Sequence, residues 1–307
     1  MPEMDTLNSL HFWPPDPELR RVAVNLSFRS RSFLGHLVTP SAAHGPRPLV
    51  MVVHNFQGLK RFDVRVAEYL ARLGYAGIAI DLYGDRVAPE QRLWSANAQV
   101  WDRNLKTALA AMVELEADRP FFRGLLQAWL DEGLRQPGVD PATRPASIGY
   151  CLGGEAVLEA VRGGLDLAGV VSFHGLLQTG EGPGPSKVGI TRPLPQPCED
   201  QHNTGTVVQI ENGANDHLVT PESRQRFIDE MDRAGVDWIF NDYANAPHGF
   251  ALPGSVGAPR NLHEAADRRS TVAMLNLFRE IFPMVEQLPV SFNAAGTRIP
   301  VWSHIPH

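Results

Sequence analysis

Short, nearly uninterrupted apolar runs recur along this chain, separated by stretches that carry a helical stripe. The runs are Leu49–Val53, Ala76–Ile80, Leu167–Phe173, Thr206–Ile210 and Val236–Phe240, with a shorter one, Ala146–Gly149, ahead of Cys151. Such runs suit strands buried on both faces, as in a parallel sheet. Between them, Phe62, Val66, Tyr69, Leu70 and Leu73 recur at helical spacing and stop at Gly74. Thr220-Pro221 opens another helix, with Phe227, Ile228 and Met231 on its apolar face and Gly235 as its stop. Met274, Leu275, Phe278, Ile281 and Phe282 form a last stripe. The alternation predicts an α/β fold with a mostly parallel, doubly wound sheet. Val22–Phe28 and Phe33–Val38 alternate around Arg29-Ser30-Arg31, which predicts an N-terminal antiparallel hairpin.

Two regions break the rhythm. Residues 88–140 hold two helical patterns and no strand, with Phe121, Phe122, Leu125, Leu126 and Trp129 on one face of the second. These helical insertions are expected to cover an end of the sheet. Residues 178–205 are rich in Gly and Pro and read as a long loop. Residues 1–20 read as an N-terminal arm, 21–287 as a single domain and 288–307 as an irregular tail.

Charge and cysteine usage remove several classes of function. The net charge of −6 comes from 28 basic and 34 acidic residues, and it gives no basic stripe for nucleic acid or an anionic membrane. No run is long and apolar enough for a membrane helix. Met1-Pro2-Glu3-Met4-Asp5 lacks the basic start and apolar run of a secretory signal. Two cysteines, Cys151 and Cys198, are too few for a disulfide scaffold, so free thiols and a cytoplasmic location are expected. No H-E-x-x-H or C-x-x-C spacing occurs, and no metal site is predicted.

The sharpest local signal is Gly149-Tyr150-Cys151-Leu152-Gly153-Gly154, a G-x-C-x-G between a strand and a helix. The equivalent G-x-S-x-G is a tight turn that exposes a nucleophile at the sheet edge, and its crowding demands small residues on either side. A cysteine there sits at a helix N-terminus, where the dipole favours a thiolate. The competing reading is a buried, inert cysteine.

A hydrolase elbow requires an acid and then a histidine, each after a later strand. Asp216 follows the strand ending near Ile210, and His248 follows the next. The imidazole would take the thiol proton and the carboxylate would fix its tautomer. Asn215 and Asp242 remain alternatives for the acid. The backbone N–H groups of Leu152 and of Phe56, in the loop after Leu49–Val53, are candidates for an oxyanion hole. His54 and His174 end strands near this site and could act directly or support its loops. His217 reads as structural and Cys198 as an incidental loop thiol.

Together these residues resemble the dienelactone hydrolase family of α/β-hydrolases. The resemblance lies in Val52–Gly58, Asp81–Asp85, Gly149–Gly154, Val171–Gly175, Asn215–Val219, His248-Gly249-Phe250 and Ala265–Ser270, and spans about residues 22–283. It implies hydrolysis of a lactone or other carboxylic ester, with no metal or organic cofactor. The partner would be a small ester or lactone, and a homodimer stays open. Three positions depart from the family pattern. The family commonly has Glu where Asn55 stands, and that glutamate attends the resting thiol. Of two arginines expected to hold a substrate carboxylate, Arg86 is an offset stand-in and Ala251-Leu252 fills the other place. The departures predict weak selection for acidic substrates, and a Cys151 thiolate already paired with a His248 imidazolium at rest. A ligand-binding or thiol-sensing protein on a hydrolase fold is the alternative.

Overall fold

The computed structural model describes residues 19–41, 45–181, 185–252 and 261–285. All but the last two residues of the expected arm, and the whole expected tail, lie outside them. One eight-stranded sheet organises the chain. Its strands are β1 (Leu19–Phe28), β2 (Arg31–Pro40), β3 (Leu49–Val53), β4 (Ala76–Ile80), β5 (Ala146–Tyr150), β6 (Gly169–Phe173), β7 (Val207–Gly213) and β8 (Trp238–Tyr243). The spatial order is β1-β2-β4-β3-β5-β6-β7-β8. β1 and β2 are antiparallel and β2 meets β4 antiparallel, whereas all pairs from β4 to β8 are parallel.

The hairpin is longer than the sequence reading and turns on two residues. Arg29 and Ser30 take φ of 45° and 63°, the doubly left-handed turn that matches strand twist, so Arg31 belongs to β2. The later strands also shift. β8 begins at Trp238, because the Val236 N–H returns to Met231 O and closes the preceding helix end. β7 runs on through Glu211 and Asn212, polar residues that an apolar pattern does not capture. β3, β4, β5 and β6 are buried throughout.

The helices divide between the two faces. α1 (Arg61–Arg72) and α6 (Glu264–Ile281) pack with Val50, Val52, Ile148 and Val171 on one. α2 (Ala98–Ala117), α3 (Arg119–Leu134), α4 (Leu152–Arg162) and α5 (Pro221–Ala234) pack with Met51, Val53, Ile80 and Val170 on the other. Alternate residues of one strand thus feed opposite cores, which is why these strands read as continuous apolar runs. The helical region 88–140 lies on the second face. Among the described residues, no helix is long and apolar enough to cross a membrane.

Part of the second face is held by buried charge. Arg123 of α3 donates from Nε to Glu159 of α4 at 2.8 Å and from a terminal nitrogen to Asp200 at 2.6 Å. Arg162 of α4 donates to Glu230 of α5 at 2.7 Å and to the Leu177 carbonyl at 2.7 Å. Glu159 also meets Arg162 at 3.3 Å and accepts from Thr179. Glu159 and both arginines are almost fully buried. The loop read at 178–205 is fastened to α3 and α4 in this way, and within its described residues it forms only a 3₁₀ turn at Pro185–Val188.

Candidate active site

Cys151 sits between the last residue of β5 and the first of α4, with φ 57° and ψ −112°. A non-glycine residue there is strained and must be held by its surroundings. A Cβ on Gly149 would lie 2.0 Å from the Gly153 carbonyl oxygen, and one on Gly153 would lie 2.1 Å from Val53 O. Neither partner can swing away, since both are backbone. The Cys151 N–H donates to Phe173 O at 3.0 Å. Cys151 as a whole is left 8 % exposed.

Two further loops meet at this turn. Gly213 ends β7 so close to the next loop that a Cβ would lie 2.4 Å from Ala246 O. The Asn215 N–H donates to the same carbonyl at 2.9 Å. Asp216 Oδ1 accepts the Leu218 N–H at 2.9 Å. Its Oδ2 lies 2.8 Å from His248 Nδ1, and His248 Nε2 lies 3.2 Å from Cys151 Sγ. Asn261 steadies the histidine loop through the His248 carbonyl at 2.8 Å. Of the alternative acids, Asn215 is exposed, while Asp242 accepts from Asn212 at 2.7 Å and pairs with Arg224. Asp216 is the acid that touches His248. Burial works against an imidazolium, yet the attraction of a thiolate at Cys151 and the Asp216 hydrogen bond would outweigh it and push His248 up to about 10.

The other residues singled out from the sequence divide by place. His54 Nδ1 donates to Asn55 O at 2.7 Å, and Nε2 accepts the Leu82 N–H at 3.0 Å. Burial keeps this ring neutral, and it ties the loops after β3 and β4 together. His174 has φ 40° and sets its ring across that of His248, centroids 5.3 Å apart. Neither of its ring nitrogens has a hydrogen-bond partner, and burial followed by the His248 charge keeps it neutral. The carbonyl of Phe56 accepts the Tyr83 hydroxyl at 2.7 Å. Leu152 is the first residue of α4, where a helix leaves its N–H groups unpaired. His217 is exposed. Arg86 is placed elsewhere. It pairs with Glu114 at 3.4 Å and lines a surface cavity of about 310 Å³ with Arg29, Arg31 and Tyr83, and no member of the Cys151–His248–Asp216 chain lines it. Leu252 is buried where a second arginine was sought.

Two buried ionisable residues in the elements around Cys151 escaped the sequence reading. Lys60 is 5 % exposed and donates from Nζ to Asn55 Oδ1 at 2.7 Å and to Gly58 O at 2.9 Å. Glu155, one helical turn after Cys151, is fully buried and has no hydrogen bond to either carboxyl oxygen. The Gly180 N–H faces it outside hydrogen-bonding geometry. Burial first, then the charges of Glu159 and Cys151, push Glu155 well above the usual carboxylate range, so it is neutral. Its only sequence signal was the i, i+4 spacing from the cysteine.

The dienelactone hydrolase family model matches residues 33–282. A carboxymethylenebutenolidase from Pseudomonas sp. is 27 % identical over 262 residues, covering 82 % of this chain and 92 % of the relative. A solved dienelactone hydrolase-like promiscuous phosphotriesterase from metagenomic libraries is 30 % identical, with a TM-score of 0.68 over 86 % of this chain and 99 % of its own. An acylaminoacyl peptidase shares the fold alone, at 15 % identity and a TM-score of 0.56, over 93 % of this chain and 45 % of the peptidase. The architecture is that of an α/β-hydrolase with an antiparallel N-terminal hairpin. Matched from within β2 to the residue after α6, this chain belongs to the dienelactone hydrolase family.

Proposed function

We propose that this chain hydrolyses a carboxylic ester or lactone, with Cys151 as nucleophile, His248 as general base and acid, and Asp216 as the anchor of the imidazole. The observation that carries the reading is the continuous contact Sγ–Nε2 at 3.2 Å and Nδ1–Oδ2 at 2.8 Å. The first distance suits a resting site, which tightens when substrate arrives. The related carboxymethylenebutenolidase supports the ester or lactone class.

In this mechanism the Cys151 thiolate attacks the carbonyl carbon, and the carbonyl π electrons move to oxygen. The N–H groups of Leu152 and Phe56 receive that oxyanion. Collapse breaks the C–O bond, and His248 gives its Nε2 proton to the departing alkoxide. The resulting thioester is attacked by water as His248 takes the water proton. The second collapse expels the thiolate, releases the acid and restores the imidazolium opposite sulfur. Asp216 carries no proton through the cycle. With Arg86 paired to Glu114 and Leu252 in the second place, the two positions expected to clamp a substrate carboxylate do not do so among the described residues. Selection for acidic substrates is therefore weak, and neutral esters or lactones should be turned over at least as well as carboxylate-bearing ones.

The decisive experiment is p-nitrophenyl acetate hydrolysis by wild type and Cys151→Ala. Wild type should show turnover and an acetylated Cys151 in quenched mass spectra. Cys151→Ala should lose at least ~10³-fold in kcat, the scale of removing a nucleophile. A folded wild type without turnover would favour a binding or thiol-sensing role instead.

A further inference from the structure

The loop between β3 and α1 carries a charge that the cycle above leaves unused. Lys60 is buried, and both acceptors of its ammonium, Asn55 Oδ1 and Gly58 O, are neutral oxygens. The nearby carboxylate does not take that place. Asp63 accepts the Lys60 backbone N–H through Oδ2 at 2.8 Å, while its Oδ1 has no hydrogen-bond partner. Asn55 is itself fixed, accepting the Gln57 N–H at 3.1 Å and donating to Gln57 Oε1 at 3.3 Å.

This loop lies against the nucleophile turn. A Cβ on Gly153 would meet Val53 O at 2.1 Å and His54 O at 2.9 Å, so the first turn of α4 rests on the point where the loop leaves β3. Tyr83 holds the loop at Phe56 O. Among the described residues, His248, Lys60, Tyr83 and Glu155 lie close enough to Cys151 to respond to its charge. Burial keeps Tyr83 and Glu155 neutral, so of these four groups His248 and Lys60 are the ones that can bring positive charge to the turn.

We propose that Lys60 is a positioning residue that stabilises the Cys151 thiolate, and that Asn55 holds its ammonium without neutralising it. A glutamate at position 55 would pair with Lys60 and set a negative charge in the same loop. Asparagine supplies the acceptor oxygen and no charge. The inference rests on the reading of Cys151 as the working nucleophile.

A pH window follows. Burial, aided by Arg92 and opposed by Asp63 and Cys151, pushes Lys60 down to about 8. Below that value the ammonium is charged and supports the thiolate. Above it the charge is lost, and the support is lost with it. The contribution of Lys60 therefore belongs to the acid limb.

The test is the pH profile of iodoacetamide alkylation at Cys151, read by peptide mass spectrometry so that Cys198 does not interfere. The full chain is used as wild type, Lys60→Met, Lys60→Arg and Asn55→Asp. Lys60→Met should alkylate at least tenfold more slowly than wild type at pH 6 and converge with it above pH 9. Lys60→Arg should recover most of that rate. Asn55→Asp, nearly isosteric, should slow alkylation at pH 6 although Lys60 remains. If Lys60→Met does not fold, Asn55→Asp against Lys60→Arg decides. Profiles of Lys60→Met and Asn55→Asp that superimpose on wild type overturn the proposal. Alkylation needs no ester, so a wild type that turns over esters with unshifted variant profiles would sink the Lys60 role alone. The shifted profiles without ester turnover would sink the hydrolase reading alone.

Discussion

The nucleophile turn and the loops that carry Asp216 and His248 mix backbone crowding and side-chain hydrogen bonding in different proportions. Around Cys151 the fit is made of backbone, with the sites for a Cβ on Gly149 and Gly153 already filled by carbonyl oxygens at 2.0 and 2.1 Å. At the ends of β7 and β8 and in the loops that follow, side chains add to the hold: Asn212 to Asp242 at 2.7 Å, Asn261 to His248 O at 2.8 Å, Tyr243 and Asn241 to Glu211 at 2.5 and 2.9 Å. The first region cannot accept an atom. The second shares that crowding at Gly213, whose Cβ would meet Ala246 O at 2.4 Å, and adds side-chain pairs that cannot lose a donor or an acceptor. Chemistry and architecture are thus limited at different places.

Asp216→Asn sharpens that contrast most. The amide can still accept the Leu218 N–H, so the fold should survive. It would turn its NH₂ towards His248 Nδ1 and force the ring proton onto Nε2, facing sulfur. That tautomer cannot take a proton from the thiol. A fall of about 10⁴-fold in kcat, equivalent to ~5 kcal/mol of barrier, is expected beside a nearly unchanged melting temperature. Activity within tenfold of wild type would mean that the carboxylate does not orient the base.

Gly153→Ala should show the reverse pattern, with stability lost first. The new methyl would overlap Val53 O, and overpacking that backbone cannot relieve costs about 3 kcal/mol or more. Denaturant titration reads this directly. A loss below ~1 kcal/mol would show that α4 slides away, and the elbow would then not be held by crowding.

The smallest effect concerns Glu211 and runs with pH. Burial pushes its carboxyl up to about 7 from the ordinary 4.5, against the hydrogen bonds of Tyr243, Asn241 and Gln209. Between those two values the folded chain binds the extra proton, so stability should fall as pH rises through that window. Glu211→Gln keeps an acceptor for Asn241 and Gln209 and removes the ionisation. It should abolish a decline of order 1 kcal/mol between pH 5 and pH 8, measured by denaturant midpoints. An identical decline in the variant would assign it to another group.

The same contrast explains what could be read in advance. Crowding writes itself into sequence as glycine, and Gly149, Gly153 and Gly154 around Cys151 announced the turn. The chain order of Asp216 and His248 was also legible, because strand ends collect functional side chains in such sheets. Choosing Asp216 over Asp242 was not, since both follow or end an apolar run and only tertiary contact separates them. Lys60 was invisible for a related reason. A lysine just before a helix looks solvated, and nothing local tells that α4 and the β4 loop close over it. β7 and β8 were bounded wrongly where polar residues such as Asn212 and Asp242 continue the ladder, because hydrogen bonding of side chains leaves no periodic mark.

The charge cluster that fastens the 178–205 loop bears on how this sequence can change over generations. Arg123, Glu159, Arg162 and Glu230 each answer to at least two of the groups around them. Replacing Arg162 alone by an apolar residue would leave Glu159 and Glu230 short of a counter-ion, and a stranded buried charge costs several kcal/mol. Replacing the whole set by well-packed apolar side chains can be nearly neutral. Each first step is therefore uphill although the end point is not. Such a block persists in a lineage because no single mutation leads out of it, whatever it contributes to holding the protein together.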